Sequence, residues 1–122
     1  MKPKFVGTYL LGGRHVNLFI GNGDGGYFRF APSKDNHPSI HVDMHRDWTD
    51  MVKVLIHEVH EFVMAEMNLR FNCTQDYGND MAGYLFVMSH CQFSDVCGRV
   101  AQFMVDALPD LAKKWKRMRR KK

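Results

Sequence analysis

From residue 48 to residue 77 the chain carries neither proline nor glycine, whereas the segment before it is cut at GG, GNGDGG and SKDNHP. That contrast points to the fold class, because an uninterrupted stretch favours a long helix and frequent turn residues favour short strands. The pieces between the cuts, KFVGTYLL, RHVNLFI, GYFRFA and SIHVDM, are short and rich in β-branched and aromatic residues. They predict three to four antiparallel strands between residues 4 and 44. In the last, Ile40, Val42 and Met44 alternate with Ser39, His41 and Asp43, the period of a strand with two different faces.

Asp47, with Asp50 three residues on, has the composition of a helix N-terminus, where a short acidic side chain meets free backbone N–H groups. A helix is expected over about 48 to 68. Its apolar positions Trp48, Val52, Leu55, Val59, Phe62, Val63 and Met67 follow three-and-four spacing. Residues 69 to 83 read as a loop and about 84 to 108 as a second helical region, in which YLFVMSH could instead be a strand or turn. Gly98 weakens that helix, and Pro109 is expected to open a separate helical segment that frays into the tail. The expected architecture is α+β: an N-terminal antiparallel sheet packed on two main helices, with residues 1–112 as one domain.

At 122 residues, 45% hydrophobic and 25% charged, the composition is that of one soluble domain. No run of about 18 apolar residues is present, and glycines and charges break the N-terminus before it could act as a signal peptide. A cytoplasmic protein without membrane association is expected. Cys73, Cys91 and Cys97 are odd in number and lack C-x-x-C spacing, which speaks against a disulfide framework. The nine methionines suit adaptable core packing. GNGDGG has neither the lysine of a P-loop nor the spacing of a dinucleotide fingerprint, and reads as a hairpin loop.

The net charge of +4 conceals a division. The last ten residues, KKWKRMRRKK, hold 8 of the 17 basic residues, leaving 9 against 13 acidic ones in residues 1–112. Nonspecific nucleic-acid contact, if any, belongs to this tail, through Lys113, Lys114, Lys116, Arg117, Arg119 and Arg120, with Trp115 available to stack on a base. The plainer reading is a solvated end in which Trp115 and Met118 anchor the last helix.

The chemistry concentrates in HEVHE, residues 57 to 61, inside the apolar run VLIHEVHEFVM. His57 and Glu61 stand one helical turn apart with Glu58 beside them. An imidazole nitrogen and a carboxylate oxygen so placed can share one zinc ion, with Glu58 near enough to take a proton from a water. His60 is the competing partner for His57. A catalytic zinc takes three protein ligands, and His90 is the leading third donor, with His41 and the soft thiolate of Cys91 in reserve. His15, His37, His41 and His45 read more readily as surface or turn residues. The bland alternative is the solvated ridge of an amphipathic helix.

VLIHEVHEFVMAEMNL followed by SHCQFSDVCGRVAQFMVDALPDL resembles small proteins of tailed bacteriophages and prophages, built on a degenerate zincin-like His-Glu-x-x-Glu helix followed by a His-x-Gln helix. The resemblance spans roughly residues 39 to 111. It implies a minimal zincin-like fold, zinc held by His57, Glu61 and His90, Glu58 as the catalytic carboxylate, and a possible peptide substrate in the host cytoplasm. A carboxylate in the second ligand position lowers the Lewis acidity of the metal, so slow or vestigial peptidase activity fits equally well. The alternatives are a noncatalytic phage protein that binds and modulates a host or defence protein, and a nucleic-acid accessory protein acting through its tail.

Overall fold

The structure is a computed structural model that describes residues 2–23, 25–30, 36–73 and 83–120. Part of the expected loop (74–82), part of the SKDNHP turn (33–35) and the tail end (121–122) lie outside the described residues.

Strands β1 (Lys4–Leu11), β2 (Arg14–Gly21), β3 (Gly26–Arg29) and β4 (Ser39–Asp43) form a four-stranded sheet, and helices α1 (Trp48–Glu66) and α2 (His90–Arg120) accompany it. The α+β arrangement is therefore the expected one. Gly12 (φ 63°) and Gly13 (φ 86°) turn β1 into β2, a two-residue turn whose positive φ angles match the twist of an antiparallel pair.

The sheet order is β1-β2-β4-β3. β4 lies between its predecessors, so it runs parallel to β2 and antiparallel to β3. The sheet is thus mixed, not antiparallel throughout, and GNGDGG is a crossover, not a hairpin loop. The loop is wrapped on the end of β4: the Gly25 N–H donates to Asp43 Oδ2 (2.9 Å) and the Asp43 N–H donates to the Gly25 carbonyl (2.8 Å). All five residues of β4 are buried.

Helix α1 starts where Asp47 Oδ1 accepts the Thr49 N–H at 3.1 Å, the capping expected from sequence. It ends two residues early, because Asn68 adopts φ 60° while the Asn68 and Leu69 N–H groups donate to the carbonyls of Ala65 and Met64. That is a Schellman-type stop in which asparagine takes the usual glycine position. The buried face is Met51, Leu55, Glu58, Val59, Phe62 and Val63, so Met51 and Glu58 are inside while Trp48, Val52 and Met67 are only partly covered.

The segment read as a loop contains β5 (Arg70–Cys73), paired antiparallel with β6 (Gly83–Phe86) in a separate two-stranded sheet. The second helix begins later than expected. Ser89 Oγ accepts the Gln92 N–H (3.2 Å) and Gln92 Oε1 accepts the Ser89 N–H (2.7 Å), a reciprocal capping box that makes His90 the first helical residue.

Helix α2 then runs through Pro109 without a break. Proline removes the bond to the carbonyl of Val105, but Pro109 is exposed and Val105 is 72% exposed, so the freed carbonyl lies on the solvent side. The inward row Val96, Val100, Phe103, Ala107, Leu111 and Trp115 continues across the proline, and its burial outweighs the lost bond.

One core joins these elements, with Leu18, Ile20, Ile40 and Val42 of the sheet meeting Leu55, Val59 and Phe62 of α1 and Phe103 of α2. The Tyr9 O–H donates to Asp110 Oδ2 at 2.7 Å, and Glu66 ties α1 to Arg14 (2.8 Å) and Arg99 (3.8 Å). No described helix is long and apolar enough to cross a membrane.

Candidate metal centre

The position of Glu58 is set by Gly26. A Cβ at residue 26 would lie 2.7 Å from the His41 carbonyl oxygen, 2.9 Å from Val54 Cγ1 and 3.0 Å from Glu58 Cγ, so only glycine lets α1 approach β3 this closely. Glu58 is consequently 6% exposed in the middle of a helix. Burial holds its carboxyl above the ordinary 4.5, against the opposing pull of His57, and the charges of Glu61 and Asp43 add to the rise.

Beside Glu58 lie two of the three expected ligands, His57 and Glu61. His57 Nε2 lies 3.3 Å from Glu61 Oε2 and 3.9 Å from Glu58 Oε2. Two donors bound tetrahedrally at about 2.1 Å from one zinc stand about 3.4 Å apart, so the His57–Glu61 separation fits a shared ion. Among the described residues, His57, Glu58 and Glu61 are the set whose donor atoms all fall within 4.8 Å of one another. They sit beside a shallow cleft of about 290 Å³ lined by Ile56, His57, His60, Glu61, Met64 and Phe86. The His57 side chain is 67% exposed, which leaves the ring accessible from solvent.

The other candidates are placed elsewhere. His60 turns Nδ1 to the carbonyl of Ile56 at 2.8 Å, back along its own helix. His90 is exposed at the start of α2, as is Cys91 beside it, and neither joins the group of donors. The capping box accounts for this, since it fixes residue 90 at the helix end. His41 is buried, not a surface or turn residue, because it lies on the central strand β4 and stacks between Phe19 (4.8 Å) and Tyr27 (4.2 Å) of the flanking strands. Its Nε2 is 3.1 Å from Ser39 Oγ. Burial and then the Arg29 charge hold His41 below its ordinary 6.5, with Asp43 opposing.

Arg70 was hidden in the presumed loop and has the most direct bearing on the cluster. Its Nη1 reaches Glu61 Oε1 at 3.5 Å, while its guanidinium lies over the rings of Tyr84 (4.4 Å) and Phe28 (5.4 Å). Glu61 thus offers one oxygen to His57 and the other to Arg70. This orients the carboxylate and also competes with a metal for its charge. An arginine just after the motif helix, flanked by leucine and phenylalanine, was the only available signal.

The basic end of the chain is helical. Residues 113–120 are the last turns of α2, and Trp115 is 6% exposed. Its indole N–H donates to the His45 carbonyl (2.8 Å), its ring packs on Trp48 (5.2 Å between centroids) and Arg119 covers it (4.7 Å). Trp115 is therefore an anchor and is not free to stack on a base, while Lys113, Lys116, Arg117, Arg119 and Arg120 are exposed and Lys114 is partly covered. Compared with protein-family models, curated proteins and solved structures, the chain matches none.

Proposed function

We propose that the protein is a zincin-like metal-binding protein in which His57 and Glu61 hold a zinc ion at the edge of the α1 cleft, with peptide-bond hydrolysis as its activity. The observation that carries this reading is the 3.3 Å approach of His57 Nε2 to Glu61 Oε2 with a buried carboxylate alongside. Zinc supplies Lewis acidity, polarising a carbonyl and acidifying a water. Glu58 would accept that proton: its burial lifts the carboxyl toward working pH, where a general base is more effective. Ile56, Met64 and Phe86 give the cleft an apolar lining that suits an apolar side chain of a peptide.

The ligand set is sparse, because His90 lies outside the group. Zinc should therefore bind more weakly than in a four-ligand structural site. Protein purified without added metal and titrated with zinc against a chromophoric chelator should bind one ion per chain. His57→Ala should lose it, and Glu58→Gln should keep it while losing cleavage of casein or a peptide library. A chain that takes up no zinc, or a Glu58→Gln variant as active as the parent, refutes the reading.

A second reading, a noncatalytic phage protein that docks on a host or defence protein in the host cytoplasm, draws support from the second sheet. Phe71 and Leu85, cross-strand partners on one face of β5–β6, and the neighbouring Val87 are each at least 49% exposed, an apolar patch of the kind that marks a docking surface. It predicts zinc-independent capture of a host protein that is abolished by Leu85→Lys. The tail reading, contact with nucleic acid, retains its cations but not its stacking tryptophan.

A further inference from the structure

The other end of α1 holds a second cavity with opposite chemistry. About 280 Å³ in volume, it is lined by Met44, His45, Arg46 and Arg119, where the connection from β4 to α1 meets the last turns of α2. Arg119 also lines an adjoining hollow of about 230 Å³ with Lys116 and Arg120. Arg46 and Arg119, from two remote segments, thus share one hollow, and Arg119 shares the other with Lys116 and Arg120.

Three features distinguish this from a solvated basic face. First, among the described residues no carboxylate lies within ion-pair distance of Arg46, Lys116, Arg119 or Arg120. Asp47, adjacent in sequence, directs Oδ1 to the Thr49 N–H of its own helix. Second, Arg119 is held in place, its guanidinium stacked on Trp115, whose own N–H is fixed on the His45 carbonyl. Third, His45 also lines the cavity, and its Nε2 is buried without a hydrogen-bond partner among the described residues. A fixed guanidinium with unused N–H donors, that of Arg119, beside the exposed Arg46 in the same cavity matches the oxygens of a phosphate.

We infer that this cavity binds a phosphate group through Arg46 and Arg119, supported by Lys116 and Arg120. The site does not depend on the metal reading, since none of its residues belongs to the HEVHE cluster. Free phosphate and the backbone of a single-stranded nucleic acid share the chemistry, and the test separates them.

Binding of inorganic phosphate, followed by titration calorimetry, and of a fluorescent ten-residue oligothymidylate, followed by anisotropy, would be compared for the parent protein and three variants. Arg46→Ala is exposed and outside the tail. Lys4→Ala makes the same change of charge on β1. Arg119→Lys keeps the charge but replaces the planar fork. Losing a hydrogen bond to a charged group should weaken binding about tenfold or more for Arg46→Ala, with a several-fold loss for Arg119→Lys, while Lys4→Ala changes little.

Equal effects of Arg46→Ala and Lys4→Ala, or an Arg119→Lys variant that binds like the parent, would overturn the proposal in favour of diffuse attraction. Absence of binding by either probe overturns it as well. If the Arg46-dependent probe is phosphate alone, the source is the free ion. If the oligonucleotide binds tighter with the same dependence, the source is the nucleic-acid backbone.

Discussion

The turn at residues 57 to 61 and the start of α1 sit on one helix, yet their charges are managed in opposite ways. At the turn each oxygen of Glu61 already has a neighbour, His57 at 3.3 Å and Arg70 at 3.5 Å. At the helix start Arg46 and Arg119 face a common cavity without a carboxylate partner among the described residues. A cation arriving at the first must compete with an arginine, whereas an anion arriving at the second displaces only water. Internally neutralised charges contribute to architecture, and unneutralised ones are the better indicator of a ligand.

The comparison can be broken most severely through the core that both regions share. Phe62 is fully buried, with ring contacts to Phe28 (5.7 Å) and Phe30 (4.7 Å). Phe62→Ala should cost about 3–5 kcal/mol in urea unfolding. Zinc and phosphate binding should then fall together if one cooperative unit supports both.

Trp115→Phe acts at one end only. Losing the indole donor to His45 should cost about 1–2 kcal/mol, measurable by the same unfolding experiment, and should weaken phosphate binding with zinc affinity unchanged. Arg70→Met probes the other end. An exposed or half-exposed ion pair contributes less than about 1 kcal/mol, so stability should change little, while zinc binds several-fold tighter because Glu61 is released. Unchanged or weaker zinc binding would mean that Arg70 orients the ligand more than it competes for it.

The smallest effect lies on the sheet, away from both regions. His41 has its folded-state pKa held below 6.5 by burial, so below that pH the unfolded chain takes up a proton that the folded one refuses. Stability should therefore fall as pH drops from about 6.5 toward the lower folded value, then level off. His41→Phe should remove this slope in unfolding experiments between pH 5 and 7.5. A slope that persists in the variant would assign it to another group.

How much of this was legible beforehand depended on the range of the interaction. Asp47 as a cap, the α1 helix and the His57–Glu61 pair follow from neighbours within one or two turns, and all three were readable. The burial of Glu58 was not, since it requires Gly26, 32 positions earlier, to lie beneath it. Nor was the insertion of β4 between β2 and β3, because alternation defines faces and says nothing of strand order. Ser89-x-x-Gln92 has the pattern of a capping box, but the apolar YLFVM just before it extends the apparent helix upstream. Pro109 illustrates the same limit, since tertiary burial along α2 overrode a local breaker, whereas the anchoring of Trp115 is the plainer of the two readings its sequence context offered.

The insertion of β4 also has consequences for the order in which the chain can fold. The β1–β2 hairpin closes through two glycines and needs only residues 4 to 21, so it can form early. β4 must then find β2 in parallel register across residues 22–38, which include β3, and such nonlocal closure is slow. The cavity at Met44, His45 and Arg46 adjoins the segment that follows β4, so it does not exist until that step is complete. Ligand binding would then report a late event in folding, and a hairpin formed alone would expose the apolar edge of β2 to association with other chains.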